Sequence, residues 1–308
     1  MAAKTFLVTG ASTGIGRASA LRLDRSGHRV FAGIRRPDDA ESLAAEGSDR
    51  LEPVRLDVTK AGEIATAAKR IGEAVGTAGL DGLVNNAGAA VSGPLEALPI
   101  EDLRRQLDVN LVGQVAVTQA MLPMLRVAKG RIVFVTSIGG LVATPFFGPY
   151  NASKFGLEAV ADCLRVELAP FGVEVIAVEP GSIATDIWER GAQEASEMEA
   201  QMDEQQRSLY GAAVRAMQVA ARQTGERGIA PERAAETIER ALSASRPRAR
   251  YLVGRDARGM LAARRLLGAR GYDRVVRRRL KLSLRGVRRD GPRRGPRARR
   301  RRSRTGSG

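Results

Sequence analysis

The sequence predicts an α/β fold: a doubly wound parallel sheet of about seven strands, helices on both faces and a helical lid. Three observations predict it. Short β-branched runs alternate with longer helical patterns through residues 1–255, the pattern of strands joined by crossover helices. A glycine-rich turn separates the first such run from the first helical one. A long helical stretch, residues 187–229, follows the sixth run. It would sit above the carboxyl ends of the strands, where open α/β sheets bind ligands.

The elements follow in order. Thr5–Thr9 reads as the first strand and Gly14–Arg25 as the first helix, with Ala18, Leu21 and Leu23 among its apolar positions. Arg29–Gly33 and Val54–Leu56 are the second and third strands, and Ile64–Gly76 the next helix. Gly82–Asn85 is the fourth strand, Leu103–Leu125 a long helix, and Arg131–Thr136 the fifth strand. Asn151–Leu168 is a helix, Val173–Val178 the sixth strand, and Arg250–Val253 the seventh. Residues 187–229, rich in Ala, Glu, Gln and Met, are expected to form a substrate lid.

Charge divides the chain. Residues 246–308 hold 24 Lys+Arg against 3 Asp+Glu, and residues 1–245 hold 26 against 31. A mildly acidic body therefore carries a basic tail, and the net charge of +16 says little about the body. Residues 1–255 are expected to form one cofactor-binding domain, 256–285 a basic amphipathic helical extension, and 286–308 a disordered Arg-rich tail. In the extension, Leu261, Leu266, Leu267, Val275, Val276, Leu280, Leu282 and Leu284 alternate with arginines, a pattern suited to weak contact with an anionic membrane. Charge alone would also attract nucleic acid, but aromatics are missing from the tail and no nucleic-acid module is recognisable, so that partner is not expected. Cys163 is the only cysteine, the N-terminus shows no secretory signal, and no run of 18 apolar residues occurs. A cytoplasmic location with no spanning helix is the expectation.

The turn Thr9-Gly10-Ala11-Ser12-Thr13-Gly14-Ile15-Gly16 is a candidate pyrophosphate cradle. Gly10 allows the sharp turn, Gly14 a close backbone approach and Gly16 tight helix packing, while the helix N-terminus offers free N–H groups. Gly10, Ser12, Thr13, Gly14, Ile15 and Gly16 are therefore candidate cofactor residues in a Rossmann-type site. At the end of the second strand Gly33 occupies the place of an acid that would hold a ribose hydroxyl, and Arg35 and Arg36 follow. Arginine suits a 2′-phosphate, which favours NADP(H) over NAD(H). Tyr150 and Lys154, four apart at the start of a helix, share a face. A neighbouring ammonium would lower the phenol pKa and make it a usable acid or base. Ser137, after the fifth strand, can bond the same substrate oxygen.

The ordered motifs T-G-x-x-x-G-I-G, N-N-A-G (Asn85–Gly88), S-x12-Y-x-x-x-K and P-G identify the chain as resembling the short-chain dehydrogenase/reductase family over about residues 4–255. The resemblance implies further residues. Asp57 and Val58 would contact the adenine, and Asn86, Ala87 and Gly88 the adenine ribose. Asn110 would hold a water in a proton relay with Lys154 and Tyr150. Pro180, Gly181, Ile183 and Thr185 would meet the nicotinamide and phosphates. Catalysis would rest on Asn110, Ser137, Tyr150 and Lys154, with no metal. Within the family the motifs are similar to those of retinol and 17β-hydroxysteroid dehydrogenases, which implies a hydrophobic alcohol or ketone, with Phe146 and Phe147 facing it. A homodimer or homotetramer is implied as well. Two other readings stand beside this one: a non-catalytic NADP(H)-binding module, and a membrane or nucleic-acid adaptor acting through the tail.

Overall fold

A computed structural model describes residues 3–279 of the chain. β1 (Thr5–Val8) leads into α1 (Gly14–Arg25), β2 (Arg29–Ile34), α2 (Asp38–Ala44), β3 (Leu51–Arg55) and α3 (Ala61–Val75). β4 (Gly82–Asn85) is followed by α4 (Ile100–Leu107), a π-helical turn at Asp108–Val112, and α5 (Gly113–Ala128). Then come β5 (Arg131–Val135), α6 (Gly148–Glu167), β6 (Glu174–Pro180), α7 (Ile187–Gln201), α8 (Glu204–Arg227), α9 (Pro231–Ser243), β7 (Arg250–Val253) and α10 (Arg255–Arg279).

The seven strands form one sheet in the order β3-β2-β1-β4-β5-β6-β7, and every pairing is parallel. The order reverses between β1 and β4, so their carboxyl ends open a crevice. Side chains alternate across the sheet. Phe6 and Val8 pack one way, with Leu21 and Leu23 of α1 and Ile238 and Leu242 of α9. Leu7 and Phe31 pack the other way, with Ile64 and Ile71 of α3, Val117 and Met121 of α5, and Leu157 of α6. Burying apolar side chains on both faces is what holds a parallel sheet together.

Four elements depart from the sequence reading. The expected single helix Leu103–Leu125 is two helices joined by the π turn, which adds a residue to the turn and swings Asn110 inward to a buried position. By length and composition the run Ile100–Ala128 could cross a membrane, but Val117, Met121 and Leu125 are fully buried on the sheet, as in a core helix. α2 and α9 were not foreseen. α2 follows Pro37 with Asp38, Asp39 and Glu41 in its first turn, and α9 has proline in its own first turn, both ordinary start signals. α10 begins earlier than the extension's apolar pattern suggests and is broken at Gly268, whose φ of 62° and ψ of −177° leave the helical region. Residues 187–227 form α7 and α8, joined through a capping box at Asp203 and Gln206. The expected tail, 286–308, lies outside the described residues.

Candidate active site

A cleft of about 420 Å³ opens at the carboxyl ends of β1, β2, β4, β5 and β6. Its floor is backbone held by the short side chains of Thr9 and Asn86. Thr9 Oγ1 accepts N–H bonds from Asn86 (2.9 Å) and Ala87 (3.0 Å). Asn86 Nδ2 donates to the carbonyls of Thr9 (3.0 Å) and Gly10 (3.2 Å). The two motif turns therefore brace one another. Gly10 has a φ of 63°, and a Cβ there would sit 2.8 Å from Ala87 Cα. Thr13, the residue before α1, makes no side-chain cap, so the first N–H groups of α1 remain available at the cleft. A Cβ at Gly14 would come within 3.0 Å of the Thr185 methyl group, so the glycine lets Thr185 lie close.

Of the expected cofactor residues, Gly10, Ser12, Thr13, Gly14, Ile15, Arg35, Asp57, Val58, Asn86, Ala87, Gly88, Pro180, Gly181, Ile183 and Thr185 line this one cleft. Gly16 does not. A Cβ there would fall 2.2 Å from the Gly10 carbonyl oxygen, so Gly16 acts by letting α1 abut the turn. Arg36 does not line the cleft either. It points away and pairs with Asp39 (3.1 Å), because α2 begins at once and its first acidic turn captures the second arginine. Arg35 stays beside Asp57. Burial works against that carboxylate, but hydrogen bonds from Thr59 and the charge of Arg35 hold its pKa below the ordinary value.

Asn110, Ser137, Tyr150 and Lys154 line the same cleft. Ser137 starts the short 3-10 turn Ile138–Gly140 and accepts from Gly139 N–H (3.0 Å). Tyr150 lies in the first turn of α6, whose start is set by Pro149. Lys154, buried one turn later, donates to the Val135 carbonyl at the end of β5 (2.9 Å) and lies 5.8 Å from the centre of the Tyr150 ring. Asn110 spends both amide N–H bonds on Ala89 O (3.0 Å) and Ser153 Oγ (3.1 Å), and its Oδ1 accepts from Ala89 N–H (2.8 Å). A water held by this side chain would have only the second lone pair of Oδ1.

The electrostatics correct one expectation. Lys154 was expected to lower the phenol pKa; in the protein, burial pushes Tyr150 up, and the opposing pull comes from a hydrogen bond with Ser137. Lys154 is itself desolvated. Burial brings it down to about 8, against the counter-pull of Glu158. Glu158 is buried one turn further along α6 and pairs with Arg250, which also holds Glu179 (2.8 Å) and Asp162 (2.7 Å).

Residues beyond the sequence reading complete the site. Asp256 Oδ2 accepts the Ser182 N–H (2.7 Å) and so fastens the turn after β6 to the start of α10. The absent Cβ of Gly181 makes room for that carboxylate, which a side-chain carbon would approach to 2.5 Å. Its signal was an acid in the first turn of a helix. Trp188 Nε1 donates to Ile183 O (2.7 Å), Arg190 reaches Thr13 Oγ1 (3.5 Å), and Glu194 meets Arg105 of α4 (3.6 Å). α7 thus bridges the cleft. No local motif marks the Arg190–Thr13 and Arg105–Glu194 contacts, which join residues 177 and 89 apart in the sequence. Phe146 and Phe147 do not line the cleft, contrary to expectation. Phe146 is fixed in a left-handed conformation (φ 68°), its carbonyl accepting from Gly93 N–H, and Phe147 stacks edgewise on Trp188 at 6.4 Å.

The residues present fit a nicotinamide dinucleotide: a glycine turn permits close approach, a helix N-terminus lies open, and a proton-handling group sits at the far end. Comparison with known proteins agrees. The family model for short chain dehydrogenases matches residues 4–196. Retinol dehydrogenase 16 of Mus musculus is 41% identical over 260 residues, 83% of this chain and 82% of that protein. The NADPH-dependent 3-dehydrocapnine reductase of Ornithobacterium rhinotracheale is 34% identical over 274 residues, 87% of this chain and 94% of that protein. The crystal structure of a short chain dehydrogenase from Burkholderia cenocepacia J2315, in complex with NADP, superposes with a TM-score of 0.68 at 26% identity, covering 90% of this chain and 97% of that one.

Proposed function

The chain belongs to the short-chain dehydrogenase family, acting on CH–OH groups, and on that premise we propose that it interconverts a hydrophobic alcohol and its ketone or aldehyde with NADP(H). The carrying observation is Tyr150 set beside Ser137, with Lys154 tethered to β5 at the open end of the sheet. The dinucleotide supplies or accepts the hydride. Tyr150 handles the proton at the substrate oxygen: its raised pKa keeps it protonated at neutral pH, the form needed to donate in reduction. Ser137 bonds the same oxygen and orients the carbonyl. Lys154 holds a cation beneath the phenol, and Asn110 fixes the Ala89 loop and Ser153 around it. Residues 187–229 act as the lid, excluding water when α7 bridges the cleft.

Arg35 supports the preference for NADP(H), since it lines the cleft and Gly33 puts no acid at the end of β2. Ala89, Ala90, Val109, Ile187 and Trp188 give the cleft an apolar wall, which supports a retinoid, steroid or lipid-like substrate. Exposed Val112, Phe155 and Val166 support pairing of two copies through the π turn and α6, and the free thiol of Cys163 a reducing, cytoplasmic setting. Turnover of retinoid, steroid and long-chain ketones with NADPH and NADH side by side tests the reading. NADPH is expected to win, with Arg35→Ala erasing most of the preference. Preference for NADH in the unaltered protein would overturn the cofactor assignment, and turnover confined to small polar ketones the substrate class.

A further inference from the structure

We propose that the corner of α10 around Gly268 docks the enzyme on an anionic lipid surface. The inference rests on α10 and not on the chemistry of the cleft. The base of α10 is anchored: Ala257 is buried with Ile138 and Val142, and Met260 and Leu261 pack on the same cluster. Tyr272 returns to that cluster from the far side of the break. The non-helical Gly268 therefore folds the two halves back, and residues 265–270 project as an exposed corner. At its tip stand Leu266, 86% exposed, and Leu267, 46% exposed. Among the described residues neither leucine belongs to a buried apolar cluster.

The charge around them selects the occupant. Arg264, Arg265, Arg270, Arg274, Arg277 and Arg278 flank the leucines along α10, with Asp273 the single acid of residues 264–278. Among the described residues none of these arginines makes an ion pair. Residues 280–308, which continue from this helix, add 12 Lys+Arg and one Asp. An apolar tip ringed by arginines matches the boundary between acyl chains and acidic headgroups, where leucine inserts and guanidinium groups pair with phosphate. A second copy would present the same positive charge and repel. The two leucines also fall well short of the area a stable protein interface needs, about 800 Å² per partner. Nucleic acid would use the arginines but has no place for the leucines. The corner shares its base with the 3-10 turn that Ser137 begins, so docking would present the cleft near the layer in which a hydrophobic substrate dissolves.

The test is co-sedimentation of the full chain with phosphatidylcholine vesicles, with and without about one-third phosphatidylglycerol. Binding is expected to the anionic vesicles only. Leu266→Asp with Leu267→Asp is expected to cut it at least tenfold, and Arg270→Glu with Arg274→Glu by a similar factor, on the order of fivefold per arginine. Both variants alter exposed positions and should keep turnover of a soluble substrate. Four results would overturn the proposal. These are no binding to anionic vesicles, equal binding to neutral ones, unchanged binding of the leucine variant, and dissociation of an oligomer by that variant without lipid. The first would leave the catalytic reading intact, because turnover is measured separately. Duplex DNA that binds the leucine variant as well as it binds the unaltered chain, with vesicles binding neither, would assign the arginines to nucleic acid instead.

Discussion

The two walls of the cleft are built differently. The wall formed by β1, α1 and the Asn85–Gly88 turn is backbone braced by the short side chains of Thr9 and Asn86 and closed by glycines. The wall formed by α4 and α7 is side chain against side chain, closed by Trp188 and the half-exposed pair Arg105–Glu194. The first can hold one shape for a cofactor common to many reactions. The second can open, and its residues can change without disturbing the sheet. Rigidity lies where the chemistry is shared and adaptability where the substrate enters.

The largest expected difference between the walls comes from adding one carbon to the first. Gly16→Ala would force a methyl group to within 2.2 Å of the Gly10 carbonyl oxygen, and the clash is with backbone that cannot swing aside. A loss of about 1–3 kcal/mol of stability is expected, read as a lowered Tm with weakened dinucleotide binding. Full stability in that variant would show that the first wall yields as readily as the second.

Between the walls sits Lys154, and its titration gives the next effect. Its pKa of about 8 lies below the ordinary 10.5. The unfolded chain therefore holds this proton to higher pH than the folded one, and between those two values stability should rise with pH as the buried cation is relieved of its charge. Activity that depends on the charge should fall across the same range. Glu158→Gln removes the neighbour that favours the cation, so the alkaline fall in activity should move to lower pH. A pH–rate profile reads this directly, and an unmoved alkaline limb would remove Glu158 from the account.

The smallest effect is expected at the second wall. Arg105→Ala with Glu194→Ala removes an ion pair that is half open to solvent, worth roughly 0–1 kcal/mol. Tm should barely change, while KM for a bulky substrate shifts through faster opening of α7. A large fall in Tm would make this wall structural rather than adaptable.

The same contrast explains what could be read from sequence. The parallel sheet and the first wall were legible because their signals are local: a glycine turn between strand and helix, alternation along each strand, and two residues one turn apart on α6. Arg35 was legible too, but not its separation from Arg36, which depends on where α2 begins. The π turn that buries Asn110 carries no compositional mark. Arg105, Glu194 and Asp256 escaped because each acts on a residue brought close only by the fold, as Asp256 does on Ser182. Burial, which sets the pKa values of Tyr150 and Lys154, is likewise a property of the assembled layers rather than of the Y-x-x-x-K spacing.

The central claim is that Tyr150 handles the proton at the reacting oxygen. Turnover and dinucleotide affinity of Tyr150→Phe test it most directly, because the change removes one hydroxyl and keeps the ring in place. A fall in kcat of about a hundredfold or more is expected, with dinucleotide affinity nearly unchanged. Undiminished turnover would contradict it.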